Sequence, residues 1–246
     1  MKKILVIANS FGVDATRYLY GVARSEKEDI KVVTLHIGSC TLYRHYRNML
    51  SDEKAYVYYI DGMDSGLKVS LKEALLSDEW DLVTLQEGSC GMARPVDYSP
   101  FIEPLADYVR RLAPLAKLYL HKTWAFAADS PRLLKTPFTS REDMIENKQS
   151  CYARAAENIK ADGIIPSLDA MCALYDIIGT AAHRDGFHAN LGISRYMLAC
   201  LWFMVIFGKD ITNNKFRDFD IEVSEEEARL AIDIAVRVAR EKGFIA

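Results

Sequence analysis

The sequence lacks the features that mark disulfide-rich, zinc-binding and membrane-spanning proteins. Its five cysteines are an odd number and include no Cys-x-x-Cys pair, so neither a complete disulfide framework nor a zinc ribbon is predicted. The longest uninterrupted apolar run, Tyr196–Phe207, is well short of the ~18 residues that a membrane span needs. The short apolar start ends at Asn9 without a small-residue cleavage site, so we interpret it as a strand and not as a signal peptide.

The chain also lacks an excess of charge of either sign. Lysine and arginine number 31, aspartate and glutamate 34, and the net charge is −3. Such a surface has no general attraction for phosphate backbones or anionic lipid, so we expect neither a nucleic acid nor a membrane as partner. Unpaired cysteines favour a reducing compartment. A cytoplasmic location is expected, with a secreted protein that has lost its signal peptide as the alternative.

Short apolar runs alternate with helix-like segments along the chain. The runs that suit buried strands are Ile4–Ala8, Val32–Ile37, Leu82–Leu85, Leu118–His121 and Ile164–Ile165. The segments with helical spacing are Asp14–Arg24, Ser99–Leu112, Ser140–Ala161, Asn190–Phe207 and Ser224–Lys242. The alternation predicts a parallel sheet of about five strands with helices on both faces. No linker, repeat or low-complexity tract divides the sequence, so we expect one domain over residues 1–246.

One stretch departs from the alternation. Tyr56–Asp61 and Leu67–Ser70 are strand-like and are separated by Gly62 and Gly66, which predicts a small antiparallel excursion from the sheet.

The residues that follow the predicted strands are the candidates for function. In open α/β sheets ligands bind outside the carboxyl ends of the strands. The strand ends and a downstream loop supply the segments Asn9–Gly12, Gly38–Cys40, Gln86–Ser89, Lys122–Trp124 and Arg184–His188. We expect these segments to meet at one edge of the sheet.

A serine, a histidine and an aspartate within these segments suit nucleophilic catalysis. Ser10 follows the first strand, where a strand-to-helix turn holds its hydroxyl and the next helix directs free N–H groups towards it. Asp185 precedes His188 by three residues, so the carboxylate can orient the imidazole while the other ring nitrogen accepts the serine proton. The alternatives are that Ser10 is only a helix cap and that the Asp185–His188 pair is a surface contact.

Three groups are candidate donors to the oxyanion of an ester intermediate. They are the backbone N–H of Ser10, the backbone at Gly38 and the side-chain amide of Gln86. Trp124 is a candidate for stacking against a sugar. The alternatives are a turn at Gly38, a structural role for Gln86 and burial of Trp124 in the core.

Four sequence blocks resemble those of the SGNH, or GDSL-like, hydrolase superfamily, and most closely a bacterial branch known mainly as a domain of unknown function. They are ILVIANSFGVDA, HIGSCTLYRHYRN, WDLVTLQEGS and DGFHANLGISRY, which together span Ile4–Tyr196. The resemblance implies a flavodoxin-like three-layer α/β/α fold. It also implies Ser10 as nucleophile, His188 as base, Asp185 as its orienting acid, and Gly38 with the Ser10 backbone as oxyanion donors.

The sequence departs from the pattern of this superfamily in two places. The Gly-Asp-Ser of the superfamily is here Ala8-Asn9-Ser10, and the asparagine that usually completes the oxyanion site has no evident match. Gln86 is the natural substitute for that asparagine.

The leading hypothesis is a serine esterase that hydrolyses a small acyl ester, for instance an acetyl group on a carbohydrate, without a metal or organic cofactor. A small-molecule or carbohydrate ester is then the expected partner. One alternative is a carbohydrate- or small-ligand-binding domain that keeps the crevice without the chemistry. Another is a metal-dependent hydrolase that uses His183, Asp185 and His188.

Overall fold

The computed structural model describes residues 1–88 and 95–246, and its strands form one mixed sheet. The strands are β1 (Lys2–Ala8), β2 (Ile30–His36), β3 (Tyr56–Ile60), β4 (Met63–Val69), β5 (Leu82–Leu85), β6 (Lys117–His121) and β7 (Gly163–Ile165). Within the described residues the sheet has seven strands in the order β4-β3-β2-β1-β5-β6-β7. The strands from β2 to β7 in this order are parallel neighbours, whereas β3 and β4 are antiparallel additions at one edge.

All five strands predicted as parallel are present, and together they have the strand order typical of flavodoxin-like folds. The sheet is larger than the predicted five strands because the excursion pairs with its edge. Asp61 and Gly62 link Ile60 to Met63 with positive φ angles of 50° and 84°. A two-residue hairpin turn of type I′ requires positive φ angles at both central residues, and Asp-Gly adopts them readily.

Helices cover both faces of the sheet, which confirms the predicted three-layer α/β/α fold. The helices of the described residues are α1 (Ser10–Thr16), α2 (Leu19–Ser25), α3 (Leu42–Ser51), α4 (Leu71–Leu76), α5 (Ile102–Leu112), α6 (Arg141–Asn158), α7 (Ser167–Ile178), α8 (Ile193–Phe207) and α9 (Glu225–Glu241). One core lies between the sheet and α1, α2, α7, α8 and α9. A second core lies on the opposite face, beneath α3, α4, α5 and most of α6.

The start of the first helix differs from the prediction. A single helix over Asp14–Arg24 was expected, whereas the chain forms α1 and α2 with a break at Arg17–Tyr18. Helix α1 begins four residues earlier than predicted because the side chain of Asn9 accepts a hydrogen bond from the N–H of Phe11 and caps the helix. The nucleophile candidate Ser10 is therefore the first helical residue.

The apolar run Tyr196–Phe207 lies in α8, which is buried along almost its whole length, as expected. In the part of the chain that the structure describes, no helix is both long and apolar enough to cross a membrane.

Candidate active site

The side chains of Ser10, His188 and Asp185 form a continuous hydrogen-bonded chain at the carboxyl edge of the sheet. The Oγ of Ser10 lies 2.8 Å from Nε2 of His188, and Nδ1 of His188 lies 2.7 Å from Oδ2 of Asp185. The other carboxylate oxygen of Asp185 accepts the backbone N–H of His188 at 2.8 Å. Ser10 and His188 are 178 residues apart in the sequence, so the fold alone brings them together.

The protonation of this chain follows from its contacts. Burial by itself raises the pKa of Asp185, but the hydrogen bonds from the ring and backbone of His188 outweigh it and hold that pKa below its ordinary value. An ionised Asp185 favours the tautomer of His188 that carries its proton on Nδ1, and in that tautomer the Nε2 lone pair faces the Ser10 hydroxyl. In this arrangement His188 can remove the proton of Ser10.

Asn9, which stands where the Gly-Asp-Ser motif has an aspartate, is hydrogen-bonded at both ends of its amide beside the nucleophile. Its Oδ1 accepts hydrogen bonds from Phe11 N at 2.9 Å and from Gln86 Nε2 at 2.6 Å. Its Nδ2 donates to the carbonyl of Cys40 at 3.2 Å. An aspartate could make the first two contacts but could not donate to a carbonyl. The Cys40 carbonyl therefore gives a physical reason for an asparagine at this position.

Gln86 lies deeper than the sequence suggested. Its side chain is 1% exposed, its Nε2 donates to Asn9, and its Oε1 accepts from Nδ1 of His121 at 2.8 Å. Both ends of the amide are thus committed to protein partners. The prediction that Gln86 donates to an oxyanion at the sheet edge is therefore not supported, because the amide orients Asn9 from below.

The hydrogen-bonded chain continues through the core. Nε2 of His121 lies 3.0 Å from Oγ of Ser167, which also accepts from Nε1 of Trp202 at 3.2 Å. Burial lowers the pKa of His121 to about 3, so the ring is neutral and donates only from Nδ1. The Ser167 hydroxyl then donates to Nε2 of His121. The direction of each hydrogen bond between Gln86, His121 and Ser167 is thereby determined. This core chain fixes the orientation of the Gln86 amide.

Gly38 lies on the same edge as Ser10, in the turn that follows β2. The N–H of Ile37 donates to the carbonyl of Ala8 at 3.3 Å, and the Asn9–Cys40 hydrogen bond holds the other end of the turn. Apart from the chain neighbours of Gly38, no atom of the described residues lies within 4 Å of the position that its Cβ would occupy, and none of these residues accepts a hydrogen bond from its N–H. Its role as an oxyanion donor stays a prediction.

The structure corrects the prediction for Trp124. The side chain is completely buried, and its ring stacks on that of Phe11 with 4.3 Å between centroids. Its Nε1 donates to the carbonyl of Phe187 at 2.8 Å. No face of the indole is open to a sugar. Trp124 instead links the residue after Ser10 to the residue before His188.

Asp14 is a site residue that the sequence reading missed. It is 1% exposed and accepts hydrogen bonds from Nη1 of Arg184 at 2.9 Å, from Nη2 of Arg195 at 2.8 Å and from the N–H of Ala189 at 3.2 Å. Asp14 lies one helical turn after Ser10, and two of its partners, Arg184 and Ala189, flank the segment from Asp185 to His188. The i, i+4 spacing from Ser10 is the signal that could have identified it. This buried ion pair fastens the acid–base loop to the nucleophile helix.

Glu87 fixes the far side of the Gly38 turn. Its carboxylate accepts hydrogen bonds from Leu42 N, at the start of α3, at 3.2 Å and from Gly88 N at 2.5 Å. Burial raises the pKa of Glu87 to about 7 although both hydrogen bonds oppose that shift. The next residue of the predicted segment, Ser89, lies outside the described residues.

His183, a ligand in the metal-dependent alternative, has a different partner. Its Nε2 lies 3.2 Å from the carbonyl of Ala125, and burial lowers its pKa to about 4. Across residues 1–88 and 95–246, no three or more histidine, cysteine, aspartate or glutamate side chains are grouped to hold a metal ion.

Comparisons with known proteins identify the family of this chain and support its fold. A family model described as a domain of unknown function, DUF4886, matches residues 3–238. A crystal structure of a DUF4886 family protein from Bacteroides uniformis is 25% identical, with a TM-score of 0.88 over 100% of this chain and 97% of that one. No curated protein matches the chain.

Two further structures carry hydrolase descriptions. A provisionally assigned SGNH hydrolase from Slackia heliotrinireducens is 23% identical, with a TM-score of 0.54 over 80% of this chain and 94% of that one. A provisionally assigned GDSL-like lipase from Parabacteroides merdae is 12% identical, with a TM-score of 0.54 over 82% of this chain and 93% of that one. At these identities the similarity concerns the fold. The family match confirms the predicted domain of unknown function, and the two structures confirm the predicted resemblance in fold to proteins described as SGNH and GDSL-like hydrolases.

Proposed function

This chain belongs to the DUF4886 family, and on that premise we propose that it is a serine esterase that hydrolyses a small acyl ester through an acyl-serine intermediate. The observation that carries the proposal is the 2.8 Å contact between Ser10 Oγ and His188 Nε2. This distance is within the range that a general base needs to take a proton from a nucleophile. Asp185 supplies the third member of the same chain.

The contacts support a two-step mechanism. Nε2 of His188 takes the hydroxyl proton as Ser10 Oγ bonds to the ester carbonyl carbon, whose π electrons move to the oxygen. As the tetrahedral intermediate collapses, the bond to the alcohol oxygen breaks and His188 gives that oxygen its proton. Water then attacks the acyl-serine by the same route, releasing the carboxylic acid and restoring Ser10. Asp185 stabilises the imidazolium in both steps.

The N–H groups of Ser10 and Gly38 are the proposed oxyanion donors. Ser10 is the first residue of α1, so its N–H has no acceptor within the helix. The Gly38 N–H belongs to the neighbouring turn, which Asn9 ties to the nucleophile helix. Backbone donors held in this way need no rearrangement when charge develops on the substrate oxygen.

Aromatic rings around His188 support a small acyl group. The ring of Phe187 lies 3.9 Å from that of His188, and Phe11 lies 5.9 Å away, in both cases between centroids. Trp124 fills the space behind Phe11. We take these apolar rings beside the base as the surface that receives the methyl group of an acetyl ester.

The direct test is covalent labelling of the nucleophile. We expect a fluorophosphonate to modify the wild-type protein once, at Ser10, and to block its hydrolysis of p-nitrophenyl acetate. Ser10→Ala should take up no label while keeping the circular dichroism spectrum of the wild type. A folded wild type that neither labels nor hydrolyses short esters would contradict the proposal and favour a non-catalytic ligand-binding domain.

Restoring the aspartate of the Gly-Asp-Ser motif is expected to harm this protein. Asn9→Asp removes the donor to Cys40 and leaves a carboxylate against that carbonyl. We expect a loss of about 1–3 kcal/mol in the free energy of unfolding and a fall in kcat for p-nitrophenyl acetate. Urea unfolding and steady-state kinetics measure the two effects. Activity equal to or above that of the wild type would show that the Asn9–Cys40 hydrogen bond does not support the site.

A further inference from the structure

An open face of the sheet lies beside the candidate active site. Strand register places Thr34, Tyr59 and Asp64 side by side on β2, β3 and β4. Paired residues of neighbouring strands share one face of a sheet. That face carries α1, since Oγ of Thr34 lies 2.9 Å from Oγ of Thr16. Thr34 is covered by α1, whereas Tyr59 is half-exposed and Asp64 is exposed.

His36 connects this face to the proposed catalytic residues. It is the last residue of β2, it pairs with Ala8 at the end of β1, and it lies on the same face as Thr34. Its ring packs edge-on against that of Tyr59, with 5.8 Å between centroids. Burial lowers the pKa of His36, and the charges of Asp64, Asp14 and His188 also act on it. His36 thus stands between the triad and the hairpin.

The hairpin is held in a fixed position relative to the nucleophile helix. Arg17, directly after α1, donates from Nη1 to the carbonyl of Gly62 at 3.2 Å and contacts Sδ of Met63 at 3.1 Å. A Cβ at Gly62 would come within 2.3 Å of the carbonyl oxygen of Arg17. This close approach means that the hairpin packs tightly against the end of α1.

We propose that His36, Tyr59 and Asp64, the hairpin shelf, bind the alcohol half of the ester, and that this alcohol is a neutral molecule with several hydroxyl groups, such as a sugar. The inference rests on the proposed function and adds the class of alcohol and the residues that bind it. The shelf begins beside the nucleophile turn and extends away from it along the open sheet face. An alcohol joined to an acyl group at Ser10 can therefore lie along it.

The chemistry of the shelf favours hydroxyl groups. A neutral imidazole both donates and accepts, a protonated phenol donates, and a carboxylate accepts, so the shelf offers every kind of contact that a sugar hydroxyl makes. Burial and the charge of Asp64 raise the pKa of Tyr59, which keeps its hydroxyl proton in place. The half-exposed ring of Tyr59 also presents an apolar surface to the carbon atoms of a sugar.

Two esters that share an acetyl group and a primary alcohol test the shelf. We expect the wild-type protein to have a higher kcat/KM for 6-O-acetylglucose than for ethyl acetate, with the difference mainly in KM. Tyr59→Leu and Asp64→Ala should each lower kcat/KM for the sugar ester about tenfold more than for ethyl acetate, as expected when a single hydrogen bond or ring contact is lost. Leu67→Ala changes an exposed residue of β4 that pairs with Tyr58, on the opposite face. It should leave both values within about twofold of the wild type.

The outcomes separate the two proposals. If the protein hydrolyses p-nitrophenyl acetate through Ser10 but shows no preference for the sugar ester, the shelf inference is wrong and the esterase proposal stands. Equal losses for both esters in the Tyr59 and Asp64 variants would also overturn it, as would a preference for acetylcholine, whose alcohol is a cation. Absence of any Ser10-dependent ester hydrolysis would remove both proposals.

Discussion

Replacing His188 with alanine is expected to lower kcat for p-nitrophenyl acetate by about four to six powers of ten. Without the imidazole, no other described residue hydrogen-bonds to Ser10 Oγ and could accept its proton. The fold should survive, since His188 lies in a loop at the edge of the sheet and its side chain is partly exposed, at 18%. Stopped assays over long times measure the residual rate, and the circular dichroism spectrum reports the fold.

The double variant Ser10→Ala/His188→Ala provides the decisive comparison. Residues that act as one catalytic unit are not additive, so the double variant should be only slightly less active than either single one. Multiplicative losses would mean that the two residues act independently, which contradicts the triad. Asp185→Asn should have a smaller effect, about 10²- to 10³-fold, because the Asp185 side chain is 40% exposed and solvent screens its charge.

Asp14→Ala is expected to lower the free energy of unfolding by about 3–5 kcal/mol, because it removes the buried carboxylate that pairs with two partly buried arginines. The loss in the free energy of unfolding should be near the lower end of this range, about 3 kcal/mol. Arg184 is 29% exposed and can be hydrated, and Arg195 keeps a second ion pair, with Asp220, at 2.7 Å. Urea unfolding followed by tryptophan fluorescence measures the change.

Asp220→Ala is the control, because Asp220 also accepts from Arg195, and from Arg17, but its side chain is 25% exposed. A partly exposed ion pair contributes little, so we expect a loss of about 1 kcal/mol or less. Asp14→Ala should in addition reduce kcat, since it releases the loop that carries His188, whereas Asp220→Ala should not. Equal stability losses in the two variants would show that Asp14 does not fasten this loop.

Much of the architecture follows from local sequence. The parallel strands are short and mostly buried apolar runs, so their positions could be predicted from where such runs occur along the sequence. Because parallel strands end at a common edge, the positions of Ser10, Gly38 and Gln86 near one another also followed. The glycines at positions 62 and 66 indicated a small antiparallel excursion, although nothing in the sequence indicated that it would extend the main sheet.

The site predictions that failed have one physical cause in common. The role of each residue depends on contacts with residues that are far away in the sequence. Trp124 was predicted to stack against a sugar because it is a large aromatic residue at a strand end, but its neighbours Phe11 and Phe187 bury it. Gln86 stands at a strand end, yet its partners Asn9 and His121 belong to two other strand ends. Asp14 had a local signal, its spacing from Ser10, but the arginines that give it a role lie about 170 residues downstream.

The 178-residue separation of Ser10 and His188 also has a consequence for when the site can exist. During synthesis the nucleophile turn leaves the ribosome long before the histidine loop has been made, so a nascent chain carries an inert serine until after the last described strand, β7, has been made. Closing so long a loop costs entropy that only the packed core returns. Recovery of activity on refolding should therefore report the last long-range docking step and not the first collapse.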